Sequence, residues 1–328
     1  MAAVGTGGMG PGELIQAAAM ARRFYLQGRS KVQIAEEFGV SRFRVARVLD
    51  RALETGLVRI EIRTPDELDA ERSDALRARY GLHHAVVVTA HEEEGLPDPV
   101  GLGGSAARLI GELVEEDGVL GLAWGNAVNA TADALTTLPH CTVVQLTGVY
   151  DGGPNGTGTP GVPPGQAGSV ESVRRAARIS GGSALPIYAP LVLPDPGTAA
   201  TLRAQPGVAR VFAEYPQVRV AVVSIGAWGP GVSTVYDSLS SEERERLADE
   251  GVVGEMAGLL FDAQGSLTAQ ELTDRCVAIG AEDLRAVPEV LAVAGGVRKA
   301  RAIGAVLRSG LITSLVTDSA VAERLLTE

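Results

Sequence analysis

The chain is poor in the residues on which most metal and disulfide sites depend. Its 328 residues include two cysteines and four histidines. Cys141 and Cys276 lie far apart within apolar segments, which predicts buried free thiols rather than a disulfide or a metal site. His83 adjoins His84 and the other histidines stand singly, so they form no ligand pattern. The sequence therefore predicts neither a metal centre nor a cofactor, and none of the apolar runs of the chain leads into a GxGxxG or phosphate-loop signature that would indicate a nucleotide.

Long apolar runs are also missing. The longest, such as "HAVVVTA" and "VRVAVVSIG", fall well short of the roughly 20 residues that a membrane-spanning helix requires, and no apolar leader opens the chain. Hydrophobic residues nevertheless make up 45% of the sequence, and the mean hydropathy is positive. We expect a soluble, cytoplasmic protein with two domains and at least one large core.

Basic residues are concentrated at the N-terminal end of an acidic chain. The formal net charge is −11. Residues 1–63 hold ten Lys or Arg against six Asp or Glu, whereas residues 64–328 hold nineteen against thirty-four. Because a polyanion such as nucleic acid repels an acidic surface, this distribution favours binding of nucleic acid by the N-terminal region alone. The alternative is a solvated helix face, which is the commoner role of a charge cluster.

The spacing of residues 31–56, "KVQIAEEFGVSRFRVARVLDRALETG", favours a helix-turn-helix. Ser41 is a good N-cap, and apolar residues recur at helical intervals from Val45 onward. Arginines at positions 44, 47 and 51 form the opposite row of the same helix. A shorter helix upstream must stop at Gly39 and turn sharply. A third helix, "ELIQAAAMARRFYLQG", is predicted to end at Gly28, and the later "LVRIEIRT" alternates like a short strand or wing.

The segment "ARRFYLQGRSKVQIAEEFGVSRFRVARVLDRALETGLVRIEI" resembles the DNA-binding head of the SorC/DeoR-like sugar-responsive transcription regulators. In such a motif the second helix enters the major groove, where arginines pair with guanine and neighbouring residues hold phosphates. We predict that Arg42, Arg44 and Arg47 lie nearest the base edges. The residues predicted to contact the DNA backbone are Lys31, Ser41 and Arg51.

The sequence divides into four regions. Residues 1–12 are small and glycine-rich without periodicity, which predicts a disordered N-terminus. Residues 13–64 form the predicted helix-turn-helix DNA-binding domain. Residues 65–82 open with a proline and carry leucines among many charges, which predicts a linker helix. Residues 83–328 form a larger body.

Apolar runs alternate with helical patterns throughout the body, which is typical of an α/β fold with a parallel sheet covered on both faces. The predicted strands are "AVVVT", "VLGLAWG", "TVVQLTG", "VRVAVVSIG", "VLAVAGG" and "SLVTD". Each of these runs ends in glycine or a turn, and several lead directly into a helix. Because backbone and helix amides become accessible there, a ligand is expected at the carboxyl ends of these strands.

The body extends the resemblance through "GVLGLAWGNAVNATADAL", "ALPIYAPLVLP", "GVVGEMAGLLFDAQG" and "VLAVAGGVRKARAIGAVLRSGLITSLVTDSAVAERLL". The resemblance implies a Rossmann-like effector domain similar to ribose-phosphate isomerase and glucosamine-phosphate deaminase. It also implies a sugar, sugar phosphate or polyol effector and a homodimer or homotetramer. Effector-binding candidates are Gly125 and Asn126 in the first ligand loop, Gly148, Tyr150 and Asp151 in the second, and Gly226, Trp228, Glu255, Asp262, Gly295, Gly296 and Lys299.

Two of these candidates have competing interpretations. Lys299 is the only lysine of the body and follows a strand and two glycines. Its ammonium and the amides of the next helix together suit a phosphate or a hydroxylated ligand, although a surface lysine opening a helix is the alternative. Trp228 either stacks on a sugar ring or seals a core. The Pro/Gly-rich loop 151–168 is either a mobile excursion or a lid.

The sequence favours a regulator, not an enzyme, that binds a palindromic operator under the control of a small effector. One alternative is a sugar-phosphate isomerase or deaminase with Asp151, Glu255 or Asp318 as general base. The other is a constitutive DNA binder with a non-functional pocket. The DNA-binding head favours the first interpretation, because turnover of the ligand would destroy the signal.

Overall fold

The computed structural model describes residues 10–60, 67–89, 99–150 and 168–327. The chain separates into two compact units, Met1–Arg63 and Thr64–Glu328, which we call the head and the body. No helix among the described residues is long and apolar enough to cross a membrane. Both cysteines are buried free thiols, as predicted.

The head consists of helices α1 (Pro11–Ala21), α2 (Lys31–Phe38) and α3 (Arg42–Glu54), with a π-helical turn at Arg22–Leu26 extending α1. The prediction of disorder for residues 1–12 is wrong at its end, because Pro11 occupies the first turn of α1, where its fixed φ favours a helix. Residues 1–9 lie outside the described residues.

The turn between α2 and α3 follows the predicted pattern. Ser30 and Gln33 form a capping box at the start of α2, and Gly39 ends the helix with a φ of 62°. The Ser41 side chain then caps α3 by accepting a hydrogen bond from Arg44 N at 3.2 Å. The apolar stripe of α3 packs on the other two helices around Met20, Ile34 and Leu49.

The predicted wing is not found in the part of "LVRIEIRT" that the structure describes. Residues 57–60 form no strand, and residues 61–64 lie outside the described residues. Val58 instead packs against the head core, while Ile60 stays exposed. Within residues 57–60, the alternation of apolar and polar residues thus coincides with the packing of a single side chain on the head core.

The body contains all six predicted strands. The strands are β1 (His84–Val88), β2 (Gly118–Leu122), β3 (Cys141–Gln145), β4 (Ala184–Leu185), β5 (Val220–Val223), β6 (Gly226–Ala227), β7 (Gly254–Met256), β8 (Leu259–Phe261), β9 (Leu267–Thr268), β10 (Glu289–Val293) and β11 (Ser314–Asp318). The helices are α4 (Ala70–Tyr80), α5 (Pro99–Leu113), α6 (Asn126–Ala134), α7 (Ser169–Ser180), α8 (Pro196–Arg203), α9 (Pro206–Ala213), α10 (Thr234–Ser238), α11 (Ser241–Asp249), α12 (Gln270–Asp274), α13 (Ala281–Ala286), α14 (Ala300–Ser309) and α15 (Ser319–Thr327). Single 3₁₀ turns lie at Tyr215–Gln217 and Val297–Lys299.

Within the described residues, seven strands form a parallel sheet in the order β1-β11-β10-β5-β2-β3-β4. Its two faces are covered by separate apolar clusters, so the α/β class and the parallel sheet are confirmed. The second sheet, antiparallel with the order β6-β7-β8-β9, was not predicted. Its strands of two or three residues are too short to show a periodicity.

Helix α4 occupies the segment predicted as a linker helix, and it packs on the body. Leu76 is fully buried in the body core, and the Tyr80 hydroxyl donates to the carbonyl of Leu325 at 3.2 Å. The Asp69 carboxylate caps the helix through Arg72 N at 2.9 Å. The helix therefore contributes to the stability of the body.

Two adjacent glycines of α5 give a direct test of the α5–α6 packing. A Cβ on Gly103 would lie 2.7 Å from the backbone carbon of Ala130, whereas a Cβ on Gly104 would meet nothing within 4 Å. We expect Gly103→Ala to lower the free energy of unfolding by about 1–3 kcal/mol. Gly104→Ala should raise it by about 0.5–1 kcal/mol, because alanine is the better helix former. Urea unfolding followed by circular dichroism measures both; equal stabilities would contradict the packing.

Candidate functional site

A polar cavity of about 160 Å³ lies at the carboxyl edge of the parallel sheet. The loops that follow β2, β3, β5 and β10 contribute to its wall, together with β7 and the start of α10. Its chemically active lining residues are Asn126, Tyr150, Ser224, Ser233, Thr234, Asp237, Glu255 and Lys299. The location agrees with the expectation that a ligand binds where parallel strands end.

The loops after β2 and β5 meet at one point of this cavity. Gly125 has a φ of 152°, and a Cβ there would lie 2.0 Å from Ser224 Oγ. The Ser224 hydroxyl donates to the carbonyl of Trp124 at 2.8 Å. Helix α6 begins directly after Gly125 without a side-chain cap, and its first residues, Asn126 and Ala127, line the cavity. The amides of this first turn are therefore available to a ligand.

Glu255 is the buried acid of the cavity. Its side chain lies against Gly226, and Ser233 Oγ donates to Glu255 Oε1 at 3.3 Å. Burial raises the pKa of this carboxyl to about 7, although the positive charge of Lys299 and hydrogen bonds from Ser233 and the Gly258 backbone lower it. Burial thus keeps this carboxyl protonated to a higher pH than an exposed glutamate.

Lys299 is the cation of the cavity. Burial lowers the pKa of its ammonium group, and the charge of Glu255 opposes that change. No hydrogen bond or ion pair within 4.0 Å holds the ammonium among the residues that the structure describes. A half-buried ammonium without a close partner has unused hydrogen-bonding capacity.

The loop before Lys299 is fixed by Asp318 at the end of β11. One carboxylate oxygen of Asp318 accepts from Gly296 N at 2.5 Å, and the other accepts from Val321 N at 2.8 Å. The same side chain therefore joins the loop after β10 to the start of α15. It positions Lys299 without lining the cavity itself.

Six of the predicted effector-binding residues come together at the cavity, namely Gly125, Asn126, Tyr150, Gly226, Glu255 and Lys299. Five others do not line it, namely Gly148, Trp228, Asp262, Gly295 and Gly296. Asp151 and most of the loop 151–168 lie outside the described residues.

The contacts of these other residues explain their positions. A Cβ on Gly148 would lie 2.6 Å from the carbonyl oxygen of Ala189, so this glycine serves chain packing. The Trp228 indole donates to Arg244 O at 3.3 Å and packs edge-on against Tyr236, which favours the core interpretation. Asp262 accepts from Ser266 N at 2.8 Å within the turn between β8 and β9.

Sequence reasoning missed the hydroxyl and carboxylate groups on the far side of the cavity. Ser224 directly follows β5, so the rule that found Gly125 would also have found it. Ser233, Thr234 and Asp237 belong to an excursion between β6 and α11, in which Ser233 caps α10 by accepting from Tyr236 N at 3.1 Å. No strand pattern marks that excursion.

The predicted DNA-contacting residues lie on α3 and at the start of α2. Ser41 is engaged in capping, and Lys31 Nζ lies 5.6 Å from the centre of the Phe24 ring. Arg44 and Arg47 are exposed and line a groove of about 420 Å³ together with residues of α1. Arg51 lines the same groove, and the Arg42 guanidinium stacks over Phe43 at 4.9 Å. A cationic surface on the second helix of a helix-turn-helix suits the DNA major groove.

A helix-turn-helix head joined to a parallel α/β body with a polar cavity defines the class of two-domain, ligand-binding regulators. Residues 65–327 match the family model Sugar-bind, which describes a sugar-binding domain. The match covers most of the chain. The chain belongs to this family, the SorC/DeoR-like sugar-binding transcriptional regulators.

Relatives extend over nearly the whole chain. The transcriptional regulator LsrR of Escherichia coli (strain K12) is 27% identical, covering 95% of this chain and 94% of its own length. The deoxyribonucleoside regulator of Bacillus subtilis (strain 168) is 26% identical, covering 94% and 96%. The full-length sorbitol operon regulator SorC from Klebsiella pneumoniae has the same fold, with a TM-score of 0.70 at 24% identity, over 96% of this chain and 99% of that one.

The raised pKa of Glu255 predicts a pH dependence of stability. Between its ordinary value of 4.5 and about 7, the folded chain keeps this proton and the unfolded chain does not. The free energy of unfolding should therefore fall as pH rises through this window. Glu255→Gln should remove this contribution, which amounts to at most about 3 kcal/mol. Chemical unfolding at a series of pH values measures it.

Glu243 provides a control of opposite sign. Burial raises the pKa of its carboxyl, but hydrogen bonds from Arg275 and Ser240 outweigh burial, so the pKa lies below its ordinary value. Its contribution to stability is present above pH 4.5 and is lost as pH falls through the folded-state pKa. Glu243→Gln should therefore reduce stability at neutral pH. The prediction for Glu255 would be contradicted if the free energies of unfolding of wild type and Glu255→Gln changed with pH in the same way, because the pKa of Glu255 would then not be raised.

Proposed function

We propose that this regulator binds a palindromic operator through α3 and that a small sugar, sugar phosphate or polyol in the cavity controls its affinity for DNA. The observation that carries the proposal is the half-buried ammonium of Lys299, which has no close partner in the described structure and shares one cavity with the free amides at the start of α6. Both groups are donors to anionic or hydroxyl oxygens.

The remaining lining groups suit a hydroxylated ligand. The Thr234 hydroxyl can donate or accept. The Ser224 and Ser233 hydroxyls already donate to Trp124 O and Glu255 Oε1, so their oxygens are left as acceptors, and Glu255 and Asp237 provide further acceptors. A phosphate would be placed near the ammonium and the α6 amides, and sugar hydroxyls near the carboxyls. The names of the relatives support this class of ligand, because they include a deoxyribonucleoside regulator and a sorbitol operon regulator.

Operator binding requires two heads. A symmetric dimer or tetramer would present paired α3 helices to half-sites about 34–36 Å apart, or a multiple of that spacing. Effector binding would change the spacing or orientation of the heads. In this proposal the protein is a cytoplasmic regulator, and it releases its effector chemically unchanged.

An isomerase or deaminase activity has less support. Both carboxylate oxygens of Asp318 already accept backbone amides, and Asp318 does not line the cavity. Glu255 has a pKa suitable for a general base, but the relatives are named regulators rather than enzymes. A constitutive DNA binder would also leave without a role the Lys299 ammonium, which has no hydrogen-bond or ion-pair partner among the described residues.

The DNA interface is tested by arginine substitutions on α3. Arg44→Ala or Arg47→Ala should weaken specific binding by about 1–3 kcal/mol, because each side chain would lose a guanine contact. Arg51→Ala should weaken binding to all sequences similarly, because it would lose a phosphate contact. Fluorescence anisotropy at fixed salt, with a duplex selected from a randomised library and a scrambled duplex, measures both effects. Unchanged operator affinity in both Arg44→Ala and Arg47→Ala would refute this interface.

The cavity is tested by Lys299→Met, which keeps much of the aliphatic packing and removes the charge. A thermal-shift screen of sugar phosphates and free polyols first identifies a stabilising compound. Loss of a charge-assisted hydrogen bond should then weaken the binding of that compound about tenfold to hundredfold, as measured by calorimetric titration. DNA binding without the compound should persist.

Arg298→Met is the matched control, because Arg298 is exposed beside Lys299 and does not line the cavity. It should bind the compound as tightly as wild type. If wild type and Lys299→Met bound the compound with equal affinity, Lys299 would not be part of the binding site. Conversion of the compound into a product would instead favour the enzyme.

A further inference from the structure

Phe43 is an exposed aromatic side chain on the helix that we assign to DNA. Its side chain is 66% exposed, whereas the other four phenylalanines of the chain are buried or half-buried. Leaving a phenylalanine in water forgoes a large part of the stabilisation that its burial could provide. The position of the ring therefore suggests a contact made in a complex.

The ring occupies the second position of α3, directly after the capping turn. It lies two residues before the buried Val45, and this spacing places it about 200° around the helix axis, on the side opposite the core. Arg47 lies one turn further along the same side and is exposed. The ring thus stands on the outermost side of the helix, at its N-terminal end.

Cations surround the ring. The Arg42 guanidinium stacks on it at 4.9 Å, and Arg44 and Arg47 are exposed on the same half of the helix. An apolar protein partner covering Phe43 would also have to desolvate these charges. A polyanion with an apolar group inside its groove would match both features.

The DNA major groove offers one such apolar group. Thymine presents its C5-methyl there, and phenylalanine is among the side chains that contact it. The N-terminal residues of a recognition helix are those that reach base edges. We propose that Phe43 reads a thymine in each operator half-site through the C5-methyl group, and this inference rests on the proposed DNA-binding function.

The test replaces thymine by uracil, which removes only the methyl group. The full-length chain first selects an operator from a randomised duplex library, and each thymine of that operator is then replaced in turn. For wild type, one thymine position in each half-site should be sensitive to the replacement. A single replacement at such a position should weaken binding about fourfold, which is the loss expected for one buried methyl. For Phe43→Ala, the same replacement should leave affinity unchanged. Phe43→Leu should keep part of the sensitivity.

Ile15→Ala is the matched control, because Ile15 is 71% exposed on α1 and lies outside the proposed interface. It should reproduce the wild-type pattern. A wild-type operator without a methyl-sensitive thymine, or an unchanged pattern in Phe43→Ala, would overturn the assignment while leaving operator binding intact. If the full-length chain selects no duplex, DNA binding fails as well. If Phe43→Ala dissociates the oligomer in sedimentation but keeps the methyl sensitivity, the ring belongs to a protein interface.

Discussion

The loops after β2 and β5 meet at Gly125 and Ser224, and the cavity depends on that meeting. β2 and β5 are adjacent and parallel, with Leu122 paired to Val222, so their carboxyl ends arrive at the same level of the sheet. Any side chain at position 125 would collide with Ser224. Because the loops touch, helix α6 starts at the cavity wall, and the register of the sheet places the first amides of this helix at the cavity.

The second constraint is that one cavity contains a carboxyl and an ammonium group that form no ion pair with each other. Glu255 and Lys299 interact through space, yet no ion pair within 4.0 Å joins them in the described structure. Burial pushes both groups toward their neutral forms. An anionic ligand beside Lys299 would stabilise the ammonium and further favour a protonated Glu255. Ligand binding and proton uptake would therefore be linked, and a neutral polyol would show a weaker linkage than a sugar phosphate.

The sequence predicted those parts of the fold in which a residue pattern determines the structure locally. β5 and residues 290–293 of β10 are apolar on both faces and end in turns, so the sequence predicted these strands and the edge of the sheet at which the cavity lies. Gly125 and Lys299 were singled out because each lies in the segment between such a strand and the helix that follows it. Ser233 and Asp237 were missed because they enter the cavity from an excursion, and β7 and β8 were missed because three residues carry no period. Trp228 shows the limit of residue type alone, since its packing on Tyr236 depends on tertiary contacts.

In the proposed complex with DNA, the charge distribution of the chain would give base contacts made by α3 more weight than they would have in a basic protein. The body carries nineteen basic residues against thirty-four acidic ones, while the head has a surplus of only four positive charges. Sequence-independent attraction to phosphates is therefore weak, and non-specific binding falls with it. If α3 binds the operator as proposed, discrimination would then depend on contacts that only the correct bases provide, namely hydrogen bonds from the arginines and an apolar contact from the Phe43 ring. An exposed phenylalanine among arginines on the proposed recognition helix is what this balance of charges would favour, because a methyl contact would add specificity without adding charge.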